Sequence, residues 1–420
     1  MISEFEDRLR SQIKARGALK HIDALSAIGD RFVGSDGDAR AIEYISGEFK
    51  RLGLEVACTD IEVPSFVERQ VELRLVGVDR RIEAIAAYFS PGTPPEGIVT
   101  DLVFVGDGEE ADYQGVDVRN RIVVLQESGL GYSKFWLGAF AARAAKHGAL
   151  AVVVIHPMPW PYRMSMEAGN SNIDNRFLDE QVPAVCVSSI DGALLMRAIG
   201  GGQSKVWLKA DVARPTVKSC CISGFLWGKE LPDERVAIVA HRDNGFPPGA
   251  NDNGSGSGTM LEVARVLSGY QPRRTMEFIS STAEEGVTQG VWAYIQAHKD
   301  DLRQMKALID LDMFGVGGRL NLVDIGLWPD REPLKHTEWL MQMLEEIADD
   351  LGYQLGRMTA GWGVAESGRF LAEGVPSAWF WRPDDMYYHS IHDTPDKIDG
   401  NSLKVVGDIT AIAAWRLANQ

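Results

Sequence analysis

The stretch RVAIVAHRDNGFPPGANDNGSGSGTMLEVARVL, residues 235–267, decides the fold class. It begins with apolar residues typical of a buried strand, passes through a glycine-rich polar turn and ends in apolar residues at helical spacing. The alternation continues downstream in RTMEFISSTAEE, GVWAYIQAHKDDLRQM, KALIDLDMFG, VPSAWFWRP and NSLKVVGDITAIAAWRLA. Such alternation predicts an α/β fold in which a mostly parallel, mixed sheet is sandwiched by helices.

The chain upstream of this stretch divides into two parts of different character. Residues 1–66 are predicted to form two helices and a strand, and the first helix is the charged amphipathic segment MISEFEDRLRSQIKARGALKHIDAL. Residues 67–215 contain short β runs such as LVFVGD, RIVVLQESG and LAVVVIHP around one helix, FWLGAFAARAAKHGA. We therefore expect one α/β domain built from residues 1–66 and 216–420, with a small β-rich domain, residues 67–215, inserted in it. The loop at residues 158–177 is expected to be exposed.

Composition excludes several classes of function. The 420 residues are 45% hydrophobic and 24% charged, which is typical of a soluble globular protein. The formal net charge of -16 argues against nucleic acid or an anionic membrane surface as a partner. The first residues lack the apolar stretch of a signal peptide, and no run approaches the ~20 apolar residues of a membrane span, so we expect a cytoplasmic protein. The four cysteines form no C-x-x-C pair and are expected to be buried, reduced thiols.

Five side chains of metal-binding type each follow a predicted strand. They are His241 in VAIVAHRDN, Asp252 in GANDNGSGSG, Glu285 in STAEEG, Asp312 in LIDLDMFG and His389 in YYHSIHDT. Open α/β sheets place catalytic groups at these strand ends, and zinc binds imidazole nitrogen and carboxylate oxygen. Two ions about 3.5–4 Å apart need a bridging carboxylate, for which Asp252 is the natural candidate. We assign Asp252, Glu285 and His389 to one ion, and Asp252, His241 and Asp312 to the other.

Two further carboxylates are predicted to have catalytic roles. Glu284 precedes Glu285, and consecutive side chains of an extended segment point apart, so Glu284 is free to act as a general base. Asp243 lies two residues after His241, on the same side of an extended chain, where it could orient the imidazole by a hydrogen bond.

The residues alone leave some alternatives open. Asp310 competes with Asp312 in the same strand, and His392 lies three residues after His389. GSGSG around Ser255 matches the G-x-S-x-G pattern of serine hydrolases, but it follows a turn rich in Asn and Asp, and no acid–histidine order supports it. The glycines also lack the lysine of a phosphate-binding loop.

Together the motifs resemble the co-catalytic zinc exopeptidase family, which includes bacterial leucyl aminopeptidases, aminopeptidase Y and glutamate carboxypeptidase. The family's motifs stand here as His241-Arg242-Asp243, GANDNGSG, Glu284-Glu285, Asp312-Met313-Phe314-Gly315 and HSIHDT. The last of these selects His389 over His392. Residues 67–215 resemble the protease-associated domain often inserted in this family, and RFVGSDGDARAIEYISGEFKRLGLEV resembles its N-terminal helix and turn.

The resemblance implies a metallo-exopeptidase with two Zn²⁺ per chain, for which Co²⁺ or Mn²⁺ could substitute. It implies an aminopeptidase that hydrolyses N-terminal residues from short peptides or amino-acid amides through a metal-bridging hydroxide, with Glu284 as the general base. A homo-oligomer is compatible with it. The alternatives are a carboxypeptidase or dipeptidase that binds a C-terminal carboxylate through Arg163, Arg242 or Arg382, and a non-catalytic receptor-like member.

The chain departs from the family pattern at two places. Arg242 puts a cation inside the His-x-Asp motif. In the segment GWGVAESGRFLAEGVP, Glu366 and Ser367 stand in a different arrangement from the family's Ser-Asp pair. These departures put the choice of substrate in question more than the binding of metal.

Overall fold

The computed structural model describes residues 1–78, 80–127, 136–166, 181–286, 288–328, 331–360 and 365–420. The chain separates into two units, Met1–Val63 with Thr216–Gln420, and Pro64–Pro215. In the described part of the chain, no helix combines the length and the apolar character that crossing a bilayer requires.

The larger unit contains most of the helices of the described residues. Three helices lie before the first strand and five follow the return of the chain at residue 216. They are α1 (Glu4–Gln12), α2 (Ala15–Ile28), α3 (Asp36–Arg51), α6 (Gly254–Leu267), α7 (Gln289–Ala297), α8 (Glu338–Leu351), α9 (Glu366–Ala372) and α10 (Gly400–Asn419). The two remaining helices, α4 (Gly138–Lys146) and α5 (Ser189–Gly200), belong to the smaller unit.

The strands of the larger unit form one mixed sheet. They are β1 (Glu55–Pro64), β10 (Thr216–Leu226), β11 (Leu231–His241), β12 (Arg274–Ser281), β13 (Met305–Leu311), β14 (Leu320–Trp328), β15 (Arg331–Lys335), β16 (Leu355–Ala360) and β17 (Ser377–Trp381). Their order is β1-β10-β12-β11-β13-β17-β14-β15, with β16 paired to β14. The central strands β12, β11, β13 and β17 are parallel, whereas β10 and β14 pair antiparallel with them. The predicted α/β class with a mixed sheet is confirmed.

The core of this unit lies between the sheet and its helices. Every residue of β11 from Arg235 to His241 is buried, so both faces of the central strand are covered. Val236, Ile238 and Ala240 pack in a cluster with apolar residues of α6 and α10. Because β11, β12, β13 and β17 are parallel, the residues that follow them meet at one edge of the sheet.

The prediction of a single N-terminal helix was wrong. The chain leaves helical geometry after Gln12 and re-enters it at Ala15, which gives two helices. The main-chain N–H of Lys14 donates to Glu262 Oε1 of α6 at 2.7 Å. Lys14 lies between the two helices, and this tertiary hydrogen bond gives its N–H a partner outside the helix. The spacing of apolar residues along the chain does not reveal such a contact.

The smaller unit contains an eight-stranded sheet in the order β3-β2-β9-β5-β6-β7-β8-β4. Its strands are β2 (Val67–Leu75), β3 (Arg81–Ile82), β4 (Ala84–Ala86), β5 (Ile98–Phe104), β6 (Ile122–Gln126), β7 (Ala151–Ile155), β8 (Ala184–Val187) and β9 (Lys205–Ala213). We predicted one helix here, and the described residues of this unit form two α-helices. The second, α5, carries a sequence signal that we missed, because the hydroxyl of Ser188 accepts from the N–H of Asp191 as an N-cap.

Two expectations about exposure were also wrong. Residues 161–166 of the loop at 158–177 are buried, and the hydroxyl of Tyr162 donates to Glu127 Oε2 at 3.0 Å. Residues 167–177 of that loop lie outside the described residues. Cys58 is exposed, whereas Cys186, Cys220 and Cys221 are buried as expected.

Candidate metal centre

His241, the last residue of β11, lies close to three carboxylates of the larger unit. Its Nδ1 lies 3.2 Å from the main-chain oxygen of Asp243 and 3.4 Å from Asp243 Oδ1. Its Nε2 lies 3.3 Å from Asp252 Oδ1 and 3.3 Å from Asp312 Oδ1. A proton on Nδ1, held by Asp243, leaves the lone pair on Nε2. This lone pair points towards the carboxylates of Asp252 and Asp312, where it can bind a cation.

His389, in the segment after β17, supplies a second imidazole. Its Nε2 lies 2.8 Å from Glu285 Oε2 and 3.1 Å from Asp252 Oδ2. The ring stacks on Tyr388, with centroids 3.8 Å apart and an angle of 21° between the planes. The ring also approaches Gly245, where an added Cβ would lie 2.1 Å from Nε2. The imidazole therefore packs against an aromatic ring and against a residue without a side chain.

Asp252 lies between the two imidazoles in the turn that leads into α6. The helix begins directly after it, because the Asn253 side chain accepts from the N–H of Gly256 as an N-cap. A Cβ at Gly256 would lie 1.9 Å from the carbonyl oxygen of Leu311. The glycine thus lets α6 approach the end of β13, which brings Asp252 close to Asp312.

The turn that carries Asp252 is held by Asp393. The N–H of Asn251 donates to Asp393 Oδ1 at 2.7 Å, and the N–H of Asp252 donates to Asp393 Oδ2 at 3.0 Å. The main-chain oxygen of Asp393 accepts from the N–H of Ala250 at 3.0 Å. Asp393 belongs to HSIHDT, yet nothing in the sequence indicated that its carboxylate would hold this turn.

The two consecutive glutamates follow β12. Glu285 is buried, and its N–H donates to Asp243 Oδ2 at 3.2 Å. Within the described residues, Glu285 Oε1 has no hydrogen-bond partner. Glu284 is less enclosed, and its Oε2 lies 4.0 Å from His241 Nε2.

Burial and charge perturb the acids of this cluster. Burial, reinforced by the charge of Asp252, raises the pKa of Glu285 to about 7. Burial also raises the pKa of Glu284 well above its usual value, opposed by His241 and reinforced by Glu366, Glu285 and Asp312. Burial alone would raise the pKa of Asp252, but hydrogen bonds from His241 and His389 outweigh it and lower the pKa.

The imidazoles show the opposite perturbation. Burial alone would lower the pKa of His389, but the Glu285 and Asp252 carboxylates outweigh it and raise the pKa to about 10. The pKa of His241 is raised well above its usual value for the same reason, through Asp243, Asp252 and Asp312. The cluster therefore attracts positive charge, which either protons or metal ions can supply.

Three groups of side chains in this cluster offer ligand atoms within 4.8 Å of one another. They are His241 with Asp252 and Asp312, Asp252 with Glu285 and His389, and His241 with Glu284 and Glu285. The first two groups have the same members as the two ligand sets predicted from the sequence. Asp310 and His392 were the alternatives to Asp312 and His389, and neither belongs to a group of potential ligands found among the described residues. Asp310 instead accepts a hydrogen bond from the N–H of Ser367 at 2.8 Å.

Arg31 supplies a buried positive charge near the cluster, and the sequence did not point to it. Its wholly buried guanidinium donates to four main-chain oxygens, those of Leu25, Arg242, Pro248 and Gly249, at 2.7–2.9 Å. Burial lowers its pKa to about 10, opposed by the charges of Asp393, Asp243 and Asp252. Arg31 lies more than 200 residues before most of its partners, so no local pattern could reveal them.

Two of the three arginines proposed as carboxylate clamps are engaged inside the protein. Arg242 is wholly buried and pairs with Asp38 at 2.8 Å. Arg163, in the smaller unit, pairs with Glu68 at 2.9 Å and donates to the main-chain oxygen of Ala86. These contacts argue against a role for either in gripping a substrate carboxylate.

Residues 224–414 match the model of peptidase family M28. The matched residues lie within the larger unit. The resemblance inferred from the five motifs is thereby confirmed, and with it the predicted class of enzyme, a metallo-exopeptidase.

Curated relatives extend the similarity to nearly the full length of the chain. Aminopeptidase YwaD of Bacillus subtilis (strain 168) is 26% identical over 419 residues, which cover 96% of this chain and 84% of the relative. Carboxypeptidase Q of Homo sapiens is 25% identical over 413 residues, which cover 94% and 84%. The names of these relatives include both aminopeptidase and carboxypeptidase.

Solved structures share the fold. BSAP, a zinc aminopeptidase from Bacillus subtilis, superposes with a TM-score of 0.75 at 24% identity, covering 97% of this chain and 96% of its own. The peptidase M28 precursor from Shewanella amazonensis SB2B gives a TM-score of 0.81 at 21% identity, covering 99% and 96%. At these sequence identities, the structural similarity supports the assignment of the fold.

Proposed function

We propose that the chain is a dizinc aminopeptidase that removes N-terminal residues from short peptides or amino-acid amides. The observation that carries the proposal is the position of Asp252. One of its carboxylate oxygens lies 3.3 Å from the imidazole of His241, and the other lies 3.1 Å from that of His389. A carboxylate directed at two separate imidazoles is what a bridging ligand between two ions requires.

The residues present fit two zinc ions. Each of the two groups that share Asp252 combines one imidazole with two carboxylates, a donor set that suits zinc and leaves a position open for water. The buried Oε1 of Glu285 has no hydrogen-bond partner in the described part of the chain, and a cation would satisfy it. Co²⁺ and Mn²⁺ accept the same nitrogen and oxygen donors and should substitute.

When bound, the two ions would polarise the scissile carbonyl and lower the pKa of the attacking water. The remaining chemistry belongs to side chains of this chain. Glu284 accepts the proton of the attacking water and returns it to the leaving amine. Burial raises its pKa well above the usual value, which suits it to hold that proton. Asp243 holds the proton on His241 Nδ1 and so keeps Nε2 available as a ligand.

We also propose that residues 67–215 correspond to a protease-associated-like domain inserted into the catalytic domain of residues 1–66 and 216–420. The separation of Pro64–Pro215 as a unit with its own sheet supports this division. Expressing residues 67–215 alone tests it. A cooperative thermal transition is expected, and a chain that stays unfolded would contradict an independent domain.

The aminopeptidase proposal is tested by two matched peptides. One has a free amine and a blocked C-terminus, and the other has an acetylated amine and a free C-terminus. We expect hydrolysis of the first only, supported by zinc, cobalt or manganese and abolished by a chelator. Hydrolysis of the second only would establish a carboxypeptidase, and a purified chain that binds no zinc would favour a receptor-like member.

A carboxypeptidase or dipeptidase is the second candidate, favoured by the similarity to carboxypeptidase Q. Arg382 is the clamp candidate that remains. It directly follows β17, it is half-buried, and its N–H donates to the main-chain oxygen of Met313 at 3.1 Å, next to Asp312. If Arg382 grips a carboxylate, Arg382→Gln should raise KM for peptides with a free C-terminus and leave KM for C-terminal amides unchanged.

A further inference from the structure

Arg242 stands between two residues of the metal centre, but its side chain contacts other elements. Its Nε and Nη2 donate to Asp38 Oδ1 at 3.1 and 2.8 Å. Its Nη1 donates to the main-chain oxygens of Ser280 and Ser281 at 3.2 Å each. Its Nη2 also donates to the hydroxyl of Ser219 and to the main-chain oxygen of Cys220. A guanidinium presents its donors in a rigid fork, so these contacts fix its plane.

The contacts with Ser280 and Ser281 tie together the ends of two strands. Ser281 is the last residue of β12 and lies three residues before Glu284. The N–H of Arg242 also donates to the main-chain oxygen of Ser281, at 3.0 Å. Arg242 therefore binds the end of β12 through both its main chain and its side chain. His241 is next to it on β11, so the spacing between His241 and Glu284 depends on this tie.

Asp38 is the buried counter-charge for this guanidinium. It lies in the first turn of α3 and is 2% exposed. Its Oδ2 accepts from the N–H of Gly34 at 3.0 Å and from the hydroxyl of Ser219 at 2.7 Å. A buried guanidinium that loses its carboxylate partner is strongly destabilised, so Arg242 depends on Asp38 to remain in place.

We propose that Arg242 and Asp38 are positioning residues of the metal centre. The pair holds the end of β11 against the end of β12 and so sets the distance between His241 and Glu284, which is 4.0 Å between Nε2 and Oε2. The inference rests on the proposed function, since it assigns the pair to the site described there. It gives the first turn of α3 a role in metal binding and in the placement of the base.

A second buried ion pair joins β11 to β12 and serves as a matched control. Arg235 Nη1 lies 3.2 Å from Glu277 Oε2, and these side chains are 7% and 0% exposed. Arg235 lies on β11 six residues before His241, about 20 Å away along an extended strand. Loss of either pair should lower stability, but only loss of the Arg242–Asp38 pair should change the metal centre.

The experiment compares Arg242→Met and Asp38→Asn with Arg235→Met and Glu277→Gln. For each folded variant, the zinc dissociation constant is measured by chelator competition, together with the melting temperature, kcat and KM. We expect the first two variants to bind zinc roughly 10–100-fold more weakly, with a loss of kcat that exceeds any change in KM. The control variants should melt at lower temperature and keep the wild-type zinc affinity.

Two further variants keep the test decisive. Arg242→Lys retains the charge without the fork and should recover only part of the zinc affinity, and it replaces Arg242→Met if that variant does not fold. The effects of Arg242→Met and Asp38→Asn should be non-additive in the double variant. Equal zinc affinities in the two sets of variants would overturn the positioning role. A wild-type protein that binds no zinc would instead overturn the proposed function itself.

Discussion

Glu284 and Glu285 are consecutive in the chain, yet their carboxylates face different imidazoles. Glu284 Oε2 lies 4.0 Å from His241 Nε2, and Glu285 Oε2 lies 2.8 Å from His389 Nε2. The side chain of Glu284 is 18% exposed, whereas that of Glu285 is 2% exposed. This difference in exposure is the basis for proposing the enclosed Glu285 as a ligand and the more open Glu284 as the base.

Replacing Glu284 by Gln tests the base. The amide cannot accept the proton of the attacking water, so kcat should fall by roughly 10²–10⁴-fold while the shape of the site is kept. Zinc content per chain, measured by elemental analysis, should equal that of the wild type. Loss of zinc in Glu284→Gln would argue that this residue is a ligand.

Glu285→Gln is the companion variant and should behave in the opposite way. Removal of the charge beside His389 weakens one of the two groups that share Asp252, so zinc should be bound more weakly. Chelator competition on the purified protein measures this without any substrate. If Glu285→Gln kept the zinc affinity of the wild type, the assignment of Glu285 as a ligand would be wrong.

Asp252→Asn should affect both metal positions, because each oxygen of this carboxylate faces a different imidazole. His389→Ala removes a ligand from one group only and should leave one ion bound. We therefore expect a larger fall in zinc content for Asp252→Asn than for His389→Ala, measured after dialysis against a weak chelator. Equal contents would show that Asp252 serves one ion and does not bridge.

Gly245→Ala should weaken metal binding although the residue supplies no ligand. An alanine Cβ would lie 2.1 Å from His389 Nε2, so the imidazole must move. We expect weaker zinc binding in chelator competition. Gly47→Ala in α3 is the control, because a Cβ there meets nothing within 4 Å, and it should stabilise the helix by about 1 kcal/mol without changing the zinc affinity. Unchanged zinc affinity in Gly245→Ala would show that His389 tolerates displacement.

The positions of the candidate ligands could be predicted because each follows an apolar strand or precedes a helix. Parallel strands end at one edge of the sheet, so local patterns sufficed to bring His241, Glu285 and Asp312 together. Periodicity could not separate Asp310 from Asp312, since residues two apart on a strand face the same side. The resemblance made that choice, and in the structure it is Asp312 that lies near His241.

The contacts that support the site could not be predicted in the same way. Asp38 and Arg242 are 204 residues apart, and a pairing at that distance leaves no periodic signal in either segment. Arg31 looks like an ordinary loop arginine until its main-chain partners are known. The cytoplasmic location and a homo-oligomer stay predictions.

Glu366 lies next to the cluster without belonging to any group of ligands found among the described residues. It is wholly buried, and its Oε1 accepts from the hydroxyl of Ser281 at 2.5 Å. Burial raises its pKa to about 7 from the ordinary 4.5, opposed by His241 and Ser281 and reinforced by Asp312. The carboxyl therefore holds its proton in the folded state at pH values where the unfolded chain has lost it.

The stability of the metal-free protein should consequently depend on pH through Glu366. Its pKa is higher in the folded state, so its contribution is fully present below pH 4.5 and is lost as the pH rises through about 7. The total loss is about 3 kcal/mol in the free energy of unfolding. Glu366→Gln removes this titration. The free energy of unfolding of the variant, relative to that of the wild type, should therefore increase from pH 5 to pH 8. Urea unfolding of both chelator-treated proteins measures the difference, and parallel pH curves would refute the shifted pKa, because a glutamine at this position cannot release a proton.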